Sequence, residues 1–171
     1  LTKTILYQTI FKTTMKLTNE EIKQIPKSFD IVGDILIFSD FPVKLLKKAK
    51  NVGNYLIKKN KQVKVVAIKS KAYSGEYRTT KLKIIAEEKR KETIHKENGV
   101  LIKINPEKVY FSPRTGSERL RVARLIKKSE TVLVMFSGAM PFGLTINKHS
   151  KAKEIYGIEI NPTAHEYAKE N

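Results

Sequence analysis

Apolar residues recur in this chain at two distinct spacings, and the spacing changes along its length. Thr18 or Asn19 caps a first helix, with Glu20 and Glu21 in its first turn. Phe29 to Phe38 (FDIVGDILIF) is dense in β-branched and aromatic residues around a turn or bulge at Gly33-Asp34. Between 42 and 59, Val43, Leu46, Ala49, Val52 and Leu56 fall at helical spacing, with lysines on the remaining face. Gly53 weakens that helix without ending it. Strands are predicted at Val63–Ile68, Lys81–Ala86 and Gly99–Ile104, close enough together to suggest a small mixed sheet rather than βαβ units. Thr93 to Gly99 reads as a hairpin turning at Asn98-Gly99.

The pattern then returns to helix. Ser117 is the expected cap of a helix running to Lys128, with Leu120, Ala123 and Ile126 on one face and Arg121, Arg124 and Lys128 on another. Thr131–Phe136 is a buried-type strand, followed by a turn at Ser137–Pro141 and a helix to about His149. Glu154–Ile160 is a second strand, and Pro162 opens a further helix. Strand, glycine turn, helix, strand and acid in this order open a doubly wound sheet. Such sheets hold about five strands or more, and only two are present.

Charge divides the chain at the same place. Formal charge is +17 over 171 residues; residues 1–129 carry 30 basic and 12 acidic side chains, and residues 130–171 carry four and five. A basic portion of this strength suits a polyanionic partner. A lysine-rich composition alone is the competing explanation, since 28 of the 34 basic residues are lysine. The absence of cysteine excludes disulfides, thiolate metal sites and a thiol nucleophile, and His95, His149 and His165 lack metal-ligand spacing. No apolar run reaches the roughly 18 residues of a membrane span. The first fourteen residues lack the apolar core of a secretory signal, so Met15 reads as the start and a cytoplasmic location is expected.

Four short stretches hold the candidate chemistry. Phe136-Ser137-Gly138 ends one strand and Glu159 closes the next; the turn lets backbone approach a nucleotide, and the acid suits ribose hydroxyls. Tyr110 to Arg121 places Glu118 and Arg119 in the first turn of a helix. Ser74–Arg78 is a turn delivering an arginine, and the fourth is the Thr93–Gly99 hairpin.

In this order and spacing the chain resembles the tRNA (guanine(37)-N1)-methyltransferase family of class I methyltransferases. The matching strings are SFDIVGDILIF, GEYR, ETIHKENGV, KVYFSPR, ERLRVA, VLVMFSGAMPF and GIEINPTAHEYAKEN, from Ser28 to Asn171. The resemblance implies an α/β architecture in which a small basic α+β module precedes the first part of a Rossmann-type class I methyltransferase domain. The expected divisions are an extension over 1–27, a tRNA-contacting module over 28–115 and the start of the cofactor domain over 116–171. It also implies S-adenosylmethionine as cofactor and a tRNA anticodon stem-loop as partner. Glu118 falls at the family's general base and Arg78 at its guanine-contacting arginine. Tyr110, Arg119, Phe136, Gly138, Glu159 and Ile160 fall at the cofactor pocket; no metal is implied.

Three positions depart from the family pattern: Thr115 where leucine is usual, Val134 where an acid is usual, and Met140 where a glycine is usual. The family's Asn-Pro-Pro-aromatic motif lies further along than this chain extends. A missing C-terminal part or a separate chain is therefore expected to complete the domain. Two other readings remain at this stage: the aminocarboxypropyl transferase of wyosine synthesis, and a non-catalytic tRNA-binding fragment.

Overall fold

The computed structural model describes residues 17–171; the expectations for Met15 and the first fourteen residues lie outside them. Helix α1 (Asn19–Lys23) starts at a capping box. Thr18 Oγ1 accepts from the Glu21 amide at 3.2 Å, and the Glu21 carboxylate accepts from the Thr18 amide at 2.9 Å. The β-rich run that follows is a hairpin, β1 (Asp30–Val32) and β2 (Ile35–Phe38), turning at Gly33 with φ +59°.

Strand β2 runs parallel to β3 (Val65–Ser74), which is antiparallel to β4 (Thr79–Glu87), giving the sheet order β1-β2-β3-β4. The sheet is mixed, as expected, but the strand predicted over 99–104 lies outside it and pairs in a separate two-stranded hairpin. The sheet nonetheless contains one βαβ unit, because a parallel neighbour requires a crossover. That crossover is a 3₁₀ turn (Val43–Lys48) leading into α2 (Ala49–Lys59).

The buried stripe of this crossover is Leu45, Ala49, Val52, Gly53 and Leu56, whereas Val43 and Leu46 are exposed. The two stripes share Ala49, Val52 and Leu56 and differ only in the 3₁₀ segment, where Leu45 rather than Leu46 meets the core. A Cβ on Gly53 would lie 2.4 Å from Ala86 Cβ, so glycine is what permits α2 to lie this close to β4.

All four residues of β2 are buried, as are the first four of β3, so both strands are shared by two cores. On one face Leu36 and Phe38 pack with Leu45, Val52, Leu56, Val66 and Ile85 beneath α2. On the other, Ile35 and Ile37 pack with Val65, Ala67 and Leu82, and then with Ile102, Ile104, Val109, Phe111, Ala139 and Ala164. The second core joins the basic module to the C-terminal portion. Ile102 and Ile104 come from the hairpin of β5 (Thr93–Glu97) and β6 (Val100–Ile104), which turns at Asn98 (φ +48°) and Gly99 (φ +75°) as its sequence predicts.

A 3₁₀ turn at Pro113–Thr115 runs into α3 (Gly116–Leu125). Ser117 is not its cap: the helix begins one residue earlier behind Thr115, which makes no capping bond. It also ends three residues short of Lys128, because Ile126 turns extended. Arg119 and Ala123, rather than a Leu120–Ile126 face, are its buried side chains.

Strands β7 (Thr131–Met135) and β8 (Glu154–Ile158) are parallel and joined by α4 (Pro141–His149), with α5 (Pro162–Glu170) following. This is the expected β-turn-α-β-α opening. Each strand stops before its predicted end; in β7 the break is Phe136, whose φ of +55° leaves the extended region. Among the described residues no helix is long and apolar enough to cross a membrane.

Candidate active site

A cavity of about 530 Å³ opens at the C-terminal ends of β7 and β8, the position at which open α/β sheets take ligands. Four pieces of chain wall it: the β3–β4 turn, the segment before α3, the turn after β7 and the turn after β8. Seven of the eight residues nominated from sequence lie on that wall: Arg78, Tyr110, Arg119, Phe136, Gly138, Glu159 and Ile160. The eighth, Glu118, does not.

Arg78 comes from the tip of the β3–β4 hairpin. Gly75 (φ +75°) accepts the Arg78 amide at 3.1 Å, and Arg78 itself takes φ +50°. Among the described residues its exposed guanidinium forms no ion pair. Tyr110 stands half-exposed on the cavity wall, its ring edge-on to Tyr73 of β3 at 5.0 Å.

Three residues of the turn after β7, Phe136, Gly138 and Met140, are left-handed. Phe136 is 82% exposed, so its ring stands open on the cavity wall. Met140, where the resemblance leads one to expect glycine, adopts the φ of +66° that glycine takes freely. Its side chain lodges against two glycines: a Cβ on Gly143 would lie 2.4 Å from Met140 Cε, and one on Gly157 2.8 Å from its sulfur. The methionine therefore fills the space that side chains at these two positions would need.

Glu159 ties both turns together. One carboxylate oxygen accepts from the Gly138 amide at 2.7 Å, and the other from the Asn161 amide at 2.8 Å. Each oxygen keeps further lone-pair capacity for hydroxyl groups. Sequence reasoning passed over Asn161. Its buried side chain caps α5 through the Thr163 and Ala164 amides and donates to Lys108 O at 2.9 Å. The signal was the Asn-Pro pair, a cap followed by proline in the first helical position.

Arg119 lines the cavity, yet its donors are already engaged. It is 2% exposed and forks onto Glu97, with both bonds at 2.6 Å; it also donates to Thr115 Oγ1 and to Ser112 O. Its guanidinium lies 5.0 Å from the Phe111 ring centre. Glu118, one residue earlier on α3, points to solvent and pairs with Arg121 at 2.7 Å. Hydrogen bonding from Arg121 holds its carboxyl below the usual glutamate range.

The HKENG string builds the junction beneath this wall. His95 Nδ1 accepts the Gly33 amide at 3.0 Å, and Asn98 Nδ2 donates to Gly116 O at 2.8 Å. Asn98 O in turn meets His149 Nε2 at 2.6 Å. Burial pushes the His95 imidazole below its ordinary pKa; Glu97 opposes the shift and Arg119 adds to it. A proton is therefore held more tightly by the unfolded chain than by the folded one. The stability this ring contributes is complete above about pH 7 and falls as pH drops through the ordinary histidine range toward the lowered folded value. The slope is at most about 1.4 kcal/mol per pH unit. Urea titrations between pH 7 and 5 should show a steeper loss for the wild type than for His95→Gln, which cannot take up a proton. Parallel profiles would remove His95 from the account.

Comparison with known proteins supplies the context. Residues 93–171 match the family described as TRM5/TYW2 methyltransferase domain, and residues 8–90 match the TYW2 N-terminal domain. A tRNA (guanine(37)-N(1))-methyltransferase Trm5b of Pyrococcus abyssi is 40% identical over 161 residues, 94% of this chain and 48% of that protein. The chain belongs to the TRM5/TYW2 methyltransferase family. It spans about half the length of the relatives it matches. A second relative, the tRNA(Phe) (4-demethylwyosine(37)-C(7)) aminocarboxypropyltransferase of Methanocaldococcus jannaschii, is 39% identical over 67% of this chain and 46% of its own length.

Among solved TRM5/TYW2 structures, the complex of aTrm5 with tRNALeu superposes with a TM-score of 0.78 at 37% identity, covering 95% of this chain and 47% of that one. TYW2 of P. horikoshii with MeSAdo superposes at 0.73 and 27% identity, covering 94% and 55%. The expected α/β class holds, and this chain's mixed module and parallel β7–α4–β8 unit superpose together on both neighbours.

Proposed function

We propose that the protein carrying this chain is an S-adenosylmethionine-dependent tRNA (guanine-N1)-methyltransferase acting at position 37. One observation carries the reading: seven residues to which the family resemblance gives site roles line a single cavity at the strand ends. The cavity has the features a nucleoside cofactor requires. Glu159 offers carboxylate oxygens for ribose hydroxyls, and Phe136, Tyr110 and Ile160 offer apolar surface. Gly138 leaves its backbone open, since a Cβ there would meet only Tyr110 O, at 3.8 Å. When bound, S-adenosylmethionine supplies an electrophilic methyl group on its sulfonium.

The remaining work falls to the chain. Guanine N1 bears a proton that must leave before its lone pair can attack, and Glu118 is the carboxylate assigned to take it. To do so it must release Arg121, and a solvent-exposed pair of this kind is a weak tether. Arg78, overhanging the cavity from the hairpin tip, donates to O6 as negative charge builds there. Arg119 positions rather than reacts, since Glu97 holds its fork.

Residues 28–115 form the tRNA-facing module and residues 116–171 the beginning of the cofactor domain, in a cytoplasmic protein. The uncovered apolar pairs Leu133–Tyr156 and Met135–Ile158 on the β7–β8 sheet are the surface on which the rest of such a domain packs, from the same chain or another. The anticodon stem-loop, with the target base flipped out, is the part of tRNA that reaches the cavity.

Charge makes the partner testable. With +18 over residues 1–129, affinity for tRNA should fall by orders of magnitude between about 50 and 200 mM salt if six or more phosphates are contacted. Filter binding across that range measures it. Salt-independent affinity, or none at low salt, overturns the partner.

A second reading is favoured by the match of residues 8–90 to the TYW2 N-terminal domain: aminocarboxypropyl transfer in wyosine synthesis from the same cofactor. The mass of the nucleoside recovered from position 37 after incubation with full-length protein separates the two. A non-catalytic tRNA-binding role predicts binding with neither product.

A further inference from the structure

We infer that a basic basin at the opposite end of the β7–α4–β8 unit from the cavity is a second contact for RNA backbone phosphate. This deepens the tRNA reading and rests on it. The basin encloses about 540 Å³ and is lined by Ile126, Lys128, Lys148, His149, Ser150 and Lys151, with no carboxylate on its wall.

Three observations set it apart from ordinary surface lysine. First, none of its lysines forms an ion pair among the described residues, whereas Lys48, Lys91, Lys103 and Lys169 each sit on a glutamate. Ammonium groups gathered in a concavity repel one another, and an anion between them relieves that repulsion. Secondly, the charge is local. Residues 130–171 are net negative, yet three of their four lysines (Lys148, Lys151 and Lys153) lie within six positions. The exposed Arg124 and Lys127 flank the same basin-forming segments.

Thirdly, the basin is held in shape by structure from three directions. Ser129 N donates to Lys151 O at 2.9 Å, and Lys153 N donates to Glu130 O at 2.8 Å, fixing the two loops against each other. His149 is anchored on Asn98 O at the hairpin junction. Lys148, in the last turn of α4, also offsets the carbonyl end of that helix. Lys128 and Lys151 belong to other segments, so the helix does not account for them.

The basin lies at the start of β7 and the cavity at its end. At about 3.3 Å per residue the two are roughly 20 Å apart. An RNA that places a base in one and a phosphate in the other must therefore bridge several nucleotides or lie across the protein as a folded stem. A polyanion with regularly spaced phosphates fits that demand, and an isolated anion does not.

The test uses the full-length protein carrying this chain, intact tRNA and a Lys128→Glu/Lys148→Glu/Lys151→Glu variant, with Lys→Arg at the same three positions as the companion. The charge reversal should weaken tRNA binding at least about tenfold near 0.1 M salt and flatten the log–log salt dependence by about two to three. Phosphate-ethylation interference should lose a discrete group of tRNA phosphates at the same time. The arginine variant should keep wild-type affinity and footprint.

Unchanged affinity and footprint in the glutamate variant overturn the inference while leaving the tRNA reading in place. A wild-type chain that does not bind tRNA overturns the tRNA reading itself. Loss of affinity with no loss of specific phosphates shows a net-charge effect and overturns the basin. So does a variant that keeps tRNA but loses co-sedimentation with phosphatidylserine vesicles, which would make the surface a lipid contact.

Discussion

Arg119→Ala should lower the unfolding free energy by about 3–5 kcal/mol, as much as truncating a large core side chain. Removing the guanidinium leaves the Glu97 carboxylate buried without its cation. Glu97 has little room to move, because it is wedged under the first turn of α3: a Cβ on Gly116 would lie 2.6 Å from its oxygen. Ser112 O and Thr115 Oγ1 lose a donor as well, and Phe111 loses the cation on its ring. Domains of this size are stable by only about 5–15 kcal/mol, so much of the margin disappears. Chemical denaturation followed by circular dichroism measures the shift. A Glu97→Met/Arg119→Met double variant should recover much of the loss, since the unpaired charge goes with its partner. An unmoved midpoint in the single variant would mean that the pair is solvated.

Arg78→Ala and Glu118→Gln should do the reverse, leaving stability nearly untouched and lowering methyl transfer by about 10²–10³-fold each. Both side chains are exposed, and neither supports the core. Arg78 is the donor proposed for O6 and Glu118 the acceptor for the N1 proton, so both act only as charge moves. Single-turnover transfer on full-length protein, with tRNA affinity measured in parallel, separates the step from binding. Near-normal rates in both variants would take these roles away from them.

The parts of the fold that could be read in advance are those whose cause is local. The Asn98-Gly99 and Gly33 turns, the Thr18 cap and the β7–α4–β8 order each follow from residues within a few positions. The crossover shows the limit: Leu45 and Leu46 both suit a helical stripe by spacing, and only packing against the core decides that Leu45 is the buried one. Ala139 and Ala164 enter the second core although nothing about alanine announces it. Glu97 and Arg119 are 22 positions apart, so neither spacing nor composition could pair them. Resemblance carried Arg78, Tyr110, Phe136, Gly138, Glu159 and Ile160 to one place. It also carried Glu118 and Arg119, yet it could not show that one faces Arg121 and the other is held by Glu97.

The shared wall of the cavity has a thermodynamic consequence. Its rim combines the β3–β4 tip with the turns after β7 and β8, and the strand carrying that tip belongs to the core that reaches Ala139 and Ala164. A small molecule seated there touches surfaces supplied by both portions and stabilises their arrangement together. Anything that grips the hairpin from outside shapes the same rim. By linkage the two events must then alter each other's affinity by one common factor, whichever happens first. Affinity for nucleoside measured with and without RNA, and for RNA with and without nucleoside, should give that factor twice over.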